Sequence, residues 1–235
     1  MANADFLLGS LGDSTIKLVV GEGDEQKNFT VHENIICARS SFFRTCMNGD
    51  WKEFEDRVVK LPEDNPEAVE LYIQSLYTGN ISQTEEISSS SHFYVTLGDA
   101  YVLADKFMDV YARNVVVEAI FNKVTKSIFT EGNAPCADVA TMISNIWPVL
   151  GPDLNRITIR SFLLKIFMCY SMLDHSFNEN VDDFVAFLDG IPADYSSSCL
   201  YMIKIRDPKI LLPYPKLDQL LTKDPEAKDK GGANT

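Results

Sequence analysis

The stretch from Asn28 to Gly79 reads NFTVHENIICARSSFFRTCMNGDWKEFEDRVVKLPEDNPEAVELYIQSLYTG. Its pattern predicts a strand, two short helices, a second strand and then an amphipathic helix. No cluster of residues within it has the convergent polar groups that a catalytic centre needs. We therefore expect this stretch to define the fold rather than to carry a reaction.

The last helix of the stretch has a complete set of start and stop signals. Asn65 is a suitable N-cap, Pro66 fits the first helical position, and Glu67 faces the positive end of the helix dipole. Gly79 supplies a left-handed C-terminal cap. Apolar residues recur at helical spacing and predict one core-facing stripe, made of Val69, Tyr72, Ile73, Leu76 and Tyr77.

Shorter helices and strands are predicted within this stretch and just before it. Thr15–Val20 alternates as a half-buried strand does, and Phe29–Val31 follows the Gly21–Asp24 turn as the second strand of a hairpin. A phosphate-binding loop is excluded at these glycines, since no Gly-Lys-Ser/Thr follows them. Further along, a helix opens at His32–Asn34, Ser40 or Ser41 caps the next helix, and Val58, Val59 and Leu61 form a strand.

Downstream of Gly79 the chain reads as helical. A polar loop spans residues 83–91, the helical period resumes at Phe93, and Asp109 is placed to cap another helix, with Val117, Ile120, Phe121, Val124 and Ile128 along one side. The segment Thr130–Pro135 predicts a boundary. Helices are then predicted at Asp138–Leu150, ending at Pro148, at Asn155–Tyr170 and at Val181–Leu188, whereas Tyr195–Ile205 fits either a helix or a strand.

Composition restricts the class of protein. The chain has 235 residues with a net charge of -13, and its Lys and Arg residues form no basic patch, so we expect neither nucleic-acid binding nor a membrane partner. The first basic residue is Lys17 and no apolar run approaches the ~18 residues of a membrane span, which predicts a cytoplasmic and/or nuclear protein.

Cysteine and histidine usage argues against a metal centre or a cofactor. The five cysteines show no C-x-x-C spacing, and only three histidines are available, so buried free thiols are the favoured interpretation. His32 and Cys37 suggest a Cys–His nucleophile, but no orienting Asn or Asp is identifiable. No hydrolase, zincin or phosphate-loop motif occurs, and we expect no enzymatic activity.

Four pieces of the sequence, taken in order, resemble the BTB/POZ family of protein-interaction domains. They are Phe29–His32 running into Ala38–Phe43, then Val59–Asp64, Leu76–Gly79 and Ala104–Phe107. The chain departs from the family pattern at Ala112, where a Leu is usual. The resemblance implies an α+β fold, a small sheet of three to five strands capped by helices, followed by an all-helical extension of the kind found in fungal single-BTB proteins. The resulting domain prediction is a BTB/POZ domain at 1–129, a helical extension at 130–215 and a disordered tail at 216–235.

The resemblance also implies two interaction surfaces. Family members that recruit the cullin scaffold of ubiquitin ligases carry an apolar residue, any residue and Glu after the second helix, and Trp51-Lys52-Glu53 fits this pattern, with Phe54 beside it. A large aromatic anchor next to a carboxylate suits partner binding. The alternative is that Trp51 covers the domain's own core and Glu53 is solvated.

The second surface is an N-terminal segment that packs across a homodimer in many family members. Here it corresponds to Phe6, Leu7, Leu8 and Leu11, and the alternative is a frayed terminus with some core contact. The predicted function is therefore an interaction module that homodimerises and serves as a substrate adaptor of a cullin-type ubiquitin ligase. The competing hypothesis is a self-associating scaffold with no role in ubiquitin ligation.

Overall fold

The computed structural model describes residues 11–48, 52–82, 92–127, 136–151, 159–166, 191–198 and 220–221. These residues fall into two compact units. The first unit contains residues 11–48, 52–82 and 100–116, and the second contains 92–99, 117–127 and the described residues from 136 to 221. The predicted Phe6–Leu8 segment, Trp51, the 83–91 loop, the Thr130–Pro135 boundary and the Val181–Leu188 helix lie outside the described residues.

A three-stranded sheet forms one side of the first unit. Its strands are β1 (Thr15–Val20), β2 (Lys27–His32) and β3 (Val58–Leu61), in the order β2-β1-β3. β1 pairs antiparallel with β2 and parallel with β3, so that Lys17 lies opposite both Thr30 and Val58. Ile16, Leu18 and Val20 are buried on one face, which confirms the alternation seen in the sequence.

Two short helices follow the hairpin, and a serine fixes the second one. They are α1 (Glu33–Arg39) and α2 (Ser41–Cys46). The Phe43 amide donates to Ser40 Oγ at 3.1 Å, which makes Ser40, rather than Ser41, the N-cap. The same hydroxyl donates to the carbonyl oxygen of Phe107 at 2.6 Å. Ser40 therefore ties α2 to a residue 67 positions away.

After α2 the chain forms α3 (Lys52–Asp56), then β3, and then the longer helix α4 (Pro66–Thr78). The amide of Glu67 donates to Asn65 Oδ1 at 2.9 Å. Gly79 has φ 67°, and its amide donates a hydrogen bond to the carbonyl oxygen of Ser75. The predicted cap, first-position proline and left-handed stop are confirmed. The stripe of α4 is buried at Val69, Tyr72 and Leu76 and half-buried at Ile73 and Tyr77.

Phe107 stands at the centre of the first unit's core. It follows α5 (Phe93–Lys106) and precedes α6 (Val110–Lys126), and its ring centroid lies within 5.3 Å of those of Phe42, Phe43 and Tyr72. The core is completed by aliphatic residues of the sheet, α1 and α4. Ala112, where the sequence departs from the family pattern, is fully buried in this core.

Charged residues around Phe107 bond to neighbouring elements. Lys106 Nζ donates to both carboxylate oxygens of Asp64, at 3.0 and 2.7 Å, and Arg113 Nη1 donates to Asp105 Oδ1 at 2.6 Å. Asp109 accepts the Ala112 amide at 2.9 Å, which confirms it as the cap of α6. The Ala-Asp-Lys-Phe group thus combines a buried Ala104 and Phe107 with two ion pairs, one made by Asp105 and one by Lys106.

The described residues of the second unit are mostly helical. α7 (Cys136–Val149) ends one residue beyond Pro148, next to the predicted stop. Residues 159–166 of the predicted Asn155–Tyr170 helix are helical, and residues 193–198 settle the helix-or-strand ambiguity at Tyr195 in favour of a helix. The interior is buried at Val117, Ile120, Val124, Met142, Ile146, Trp147 and Tyr195.

Trp147 joins three segments of the second unit. Its indole Nε1 donates to Asp194 Oδ2 at 2.7 Å, its ring meets that of Tyr195 edge-on at 4.8 Å, and the Arg160 guanidinium lies 4.6 Å from the ring centroid. Gly98 allows α5 to approach α7 closely, because an added Cβ would lie 3.0 Å from Met142 Cα. An α+β fold with a helical C-terminal region is therefore confirmed, while the boundaries at residues 129 and 215 and the disordered tail remain predictions.

Candidate partner-binding surface

Helix α3 carries the two described residues of the predicted partner site. Phe54 is 39% exposed. Among the described residues, Met108 is the only other large hydrophobic residue that is exposed. Glu53 is half-buried. Trp51, the predicted aromatic anchor, lies outside the described residues, so that its exposure stays a prediction.

The junction between α3 and β3 is made by Arg57, which the sequence analysis did not single out. Its backbone has φ 54°, a left-handed conformation, and its carbonyl accepts the Lys17 amide at 2.9 Å. Its guanidinium lies 5.0 Å from the ring centroid of Phe54 and forms an ion pair with the carboxylate of Glu33. One residue thus contacts the exposed ring of α3, the start of α1 and the central strand.

The electrostatics near α3 keep the neighbouring thiols protonated. Burial, followed by the carboxylate of Glu33, raises the pKa of Cys37 to about 11. Burial and the charge of Glu53 raise the pKa of Cys46. Both cysteines are free and half-buried. A thiol with a raised pKa is a poor nucleophile at neutral pH, because the thiolate is the reactive species.

His32 does not assemble a catalytic pair with Cys37. Its ring Nδ1 lies 2.8 Å from the hydroxyl oxygen of Tyr77, and that oxygen also accepts the His32 backbone amide at 3.0 Å. The side chain therefore holds the start of α1 against the end of α4. This arrangement favours a structural role for His32 over a catalytic one.

The N-terminal surface is described only at its last residue. Leu11 is half-buried and packs against the core of its own unit, whereas Phe6, Leu7 and Leu8 lie outside the described residues. The dimer interface stays a prediction. Leu11 contributes at least part of its apolar surface to the intrachain core.

Within the described ranges, no group of three or more His, Cys, Asp or Glu side chains is arranged to hold a metal ion. No helix in the same ranges is both long and apolar enough to cross a membrane.

Sequence reasoning placed the partner motif after the second helix, but it missed the helix α3 that carries Glu53 and Phe54, and it missed Arg57 and the exposed Met108. Arg57 and Met108 both adopt a positive φ without being glycine. Arginine and methionine carry no local signal for this conformation, which glycine and asparagine usually supply. A comparison with protein-family models matches residues 9–107 to the BTB/POZ domain.

Proposed function

We propose that this chain, which carries a BTB/POZ domain, docks helix α3 on a cullin-type scaffold and thereby acts as a substrate adaptor of a ubiquitin ligase. BTB/POZ domains are protein–protein interaction modules. The observation that carries the proposal is the exposed ring of Phe54 on a short helix directly after α2, with Glu53 beside it. An exposed aromatic ring next to a carboxylate offers both buried area and orientation to a partner.

The site is small, and we expect a few side chains to contribute most of the free energy of partner binding. Interfaces of this kind depend on one or two aromatic anchors, while the surrounding contacts mainly exclude water. We propose that Trp51 and Phe54 are the anchors and that Glu53 sets orientation through its charge. The helical C-terminal region is the part of the chain that we propose recruits a substrate, and the cytoplasm or nucleus is the compartment where such an adaptor works.

Titration calorimetry of the full chain against a cullin N-terminal domain tests this proposal. We expect micromolar or tighter binding, weakened by at least about tenfold in Phe54→Ala, Trp51→Ala and Glu53→Lys, which corresponds to about 1.4 kcal/mol. Glu70→Lys is the charge-matched control, because Glu70 is exposed on α4. Absence of binding by a folded wild-type chain, or equal weakening by Glu70→Lys, would remove the cullin proposal.

We propose in addition that the chain forms a homodimer through its N-terminal segment. The support is the apolar run of Phe6, Leu7 and Leu8 leading into Leu11, which itself is only half-buried. Light scattering during gel filtration should give twice the monomer mass, and Leu7→Asp combined with Leu8→Asp should give the monomer. A monomeric wild type at ~100 μM, where even a modest affinity is populated, would contradict this part of the proposal. Dimerisation without cullin binding would favour the scaffold hypothesis.

A further inference from the structure

Arg57 has a left-handed backbone conformation, which costs conformational free energy in residues other than glycine. Among the described residues, Arg57 and Met108 are the two that have a positive φ without being glycine, both at 54°. The left-handed region brings Cβ close to the carbonyl oxygen, so a glycine is more stable there than any other residue. A strained backbone persists only where the surrounding contacts over-determine it.

The contacts of Arg57 converge from three elements. Its carbonyl oxygen accepts the amide of Lys17 in β1, and this bond continues the β1–β3 pairing toward α3. Its guanidinium forms an ion pair with Glu33, the first residue of α1. The same guanidinium lies 5.0 Å from the ring centroid of Phe54. A planar guanidinium can stack on a ring and bind a carboxylate at once, which a lysine ammonium does less well.

Helix α3 is short and lies at the surface of the described part of the first unit. It spans only five residues, none of which is buried. A helix of that length is not stable through its own hydrogen bonds. The position of its exposed ring must therefore depend on contacts with the rest of the unit, and the contacts of Arg57 are among them.

We propose that Arg57 is the positioning residue of the α3 surface and holds Phe54 in the orientation that a partner binds. The effect on partner binding rests on the proposed function. The ordering of α3 by Arg57 does not depend on it. A side chain ordered before binding loses less conformational entropy when the partner docks. Arg57 therefore raises affinity by pre-ordering α3 in the free protein.

Backbone order parameters from ¹⁵N relaxation of the full chain test the inference without any partner. Arg57→Gly removes the side chain and also relieves the backbone strain, so a loss of order cannot arise from strain. We expect the order parameters of residues 52–56 to fall from about 0.85, typical of rigid backbone, to below about 0.6. Those of α4 should stay as in the wild type. Arg57→Lys should restore part of the order by keeping the cation beside Glu33.

Met108→Gly is the matched control, because it relieves the same strain at the other left-handed position. It should leave residues 52–56 rigid. Order parameters of 52–56 that are unchanged in Arg57→Gly, or already low in the wild type, overturn the proposal. A fall that extends to α4 also overturns it, because it indicates general loosening of the unit.

The cullin titration then separates the two proposals. If the wild type binds, Arg57→Gly should weaken affinity by about tenfold while Met108→Gly does not. If the wild type fails to bind, the adaptor function is wrong, yet the order parameters still decide whether Arg57 positions α3.

Discussion

The hydroxyl of Tyr72 donates a hydrogen bond of 3.1 Å to Oδ2 of Asp109, and both residues are buried. Burial raises the pKa of Asp109, although the Ala112 amide and the Tyr72 hydroxyl oppose the rise. Burial and the nearby Asp109 charge raise the pKa of Tyr72 as well. The cap of α6 is thus a carboxylate in a poorly solvated place, with the Tyr72 hydroxyl and the Ala112 amide among its hydrogen-bond donors.

The raised pKa of Asp109 predicts a pH dependence of stability. The folded state holds the proton more tightly than the unfolded state, so Asp109 adds stability as the pH falls through its folded pKa toward about 3.9, its unfolded value. Asp109→Asn cannot titrate. We expect its unfolding free energy, relative to that of the wild type, to fall as the pH is lowered from about 7.5 to about 4.5.

Urea unfolding of both proteins at the two pH values measures this difference. Subtraction removes the contribution of the other titrating groups, provided that they are unaffected by the substitution. A difference that does not change with pH would show that Asp109 titrates alike in the folded and unfolded chains.

Ser40 is predicted to contribute more to stability than its neighbour Ser41. Ser40→Ala removes the cap of α2 and leaves the buried Phe107 carbonyl without the hydroxyl that donates to it. We expect a loss of about 2–3 kcal/mol in urea unfolding. Ser41→Ala, the control, retains the backbone carbonyl that accepts Thr45 Oγ1 and should cost less than about 0.5 kcal/mol. Equal losses in the two variants would contradict the capping role.

Gly79 is predicted to be required for the stability of the fold, for two separate reasons. Its φ of 67° disfavours a side chain, and an added Cβ would lie 2.6 Å from the hydroxyl oxygen of Tyr111. Gly79→Ala should therefore cost about 3 kcal/mol, as judged by urea unfolding. Gly23→Ala is the control, since Gly23 has φ 61° with no atom within 4 Å of the added Cβ, and it should cost only about 1 kcal/mol.

A second substitution separates the steric cost from the backbone cost. Tyr111→Phe removes the hydroxyl and leaves the ring carbon Cζ at 3.7 Å, an ordinary contact distance. In the Gly79→Ala background it should recover about 1 kcal/mol or more. No recovery would mean that the loss comes from the left-handed backbone alone.

Cys37 is predicted to react slowly with thiolate-specific reagents. With a pKa of about 11, only about 0.1% of the thiol is ionised at pH 8, far below the share of an ordinary cysteine. Peptide-level mass spectrometry of iodoacetamide labelling should give a rate about tenfold higher at pH 9 than at pH 8. The same measurement on the urea-unfolded chain should be at least about 100-fold faster at pH 8. Similar folded and unfolded rates would contradict the raised pKa.

Local signals made part of this fold predictable. The start of α4 depends on Asn65 and Pro66 and its stop on Gly79, each acting within one helical turn, and the structure confirms these signals. The strands of the hairpin likewise follow from alternation and from the turn between them. Such elements are encoded by neighbouring residues, so a single sequence is enough to place them.

Contacts between distant residues were not predictable in the same way. The parallel pairing of β3 with β1 and the bond from Ser40 to the Phe107 carbonyl join positions tens of residues apart. The left-handed Arg57 carries no residue-type signal. Of the predicted partner site, the structure describes Glu53 and Phe54, and neither residue alone reveals that an arginine lies against the ring.

The sheet order β2-β1-β3 constrains how the chain can fold. β1 is the first strand in sequence but the middle strand in space, so one of its edges stays open until residues 57–61 arrive. Pairing at that distance is slower than hairpin closure, and an open strand edge is a template for association with other chains. The amides of Lys17 and Gly21, which donate to Arg57 and Leu61, should gain protection in pulsed hydrogen exchange after the β1–β2 hairpin does. On a ribosome, that edge of β1 has no strand partner from β3 in the interval between synthesis of β2 and of β3.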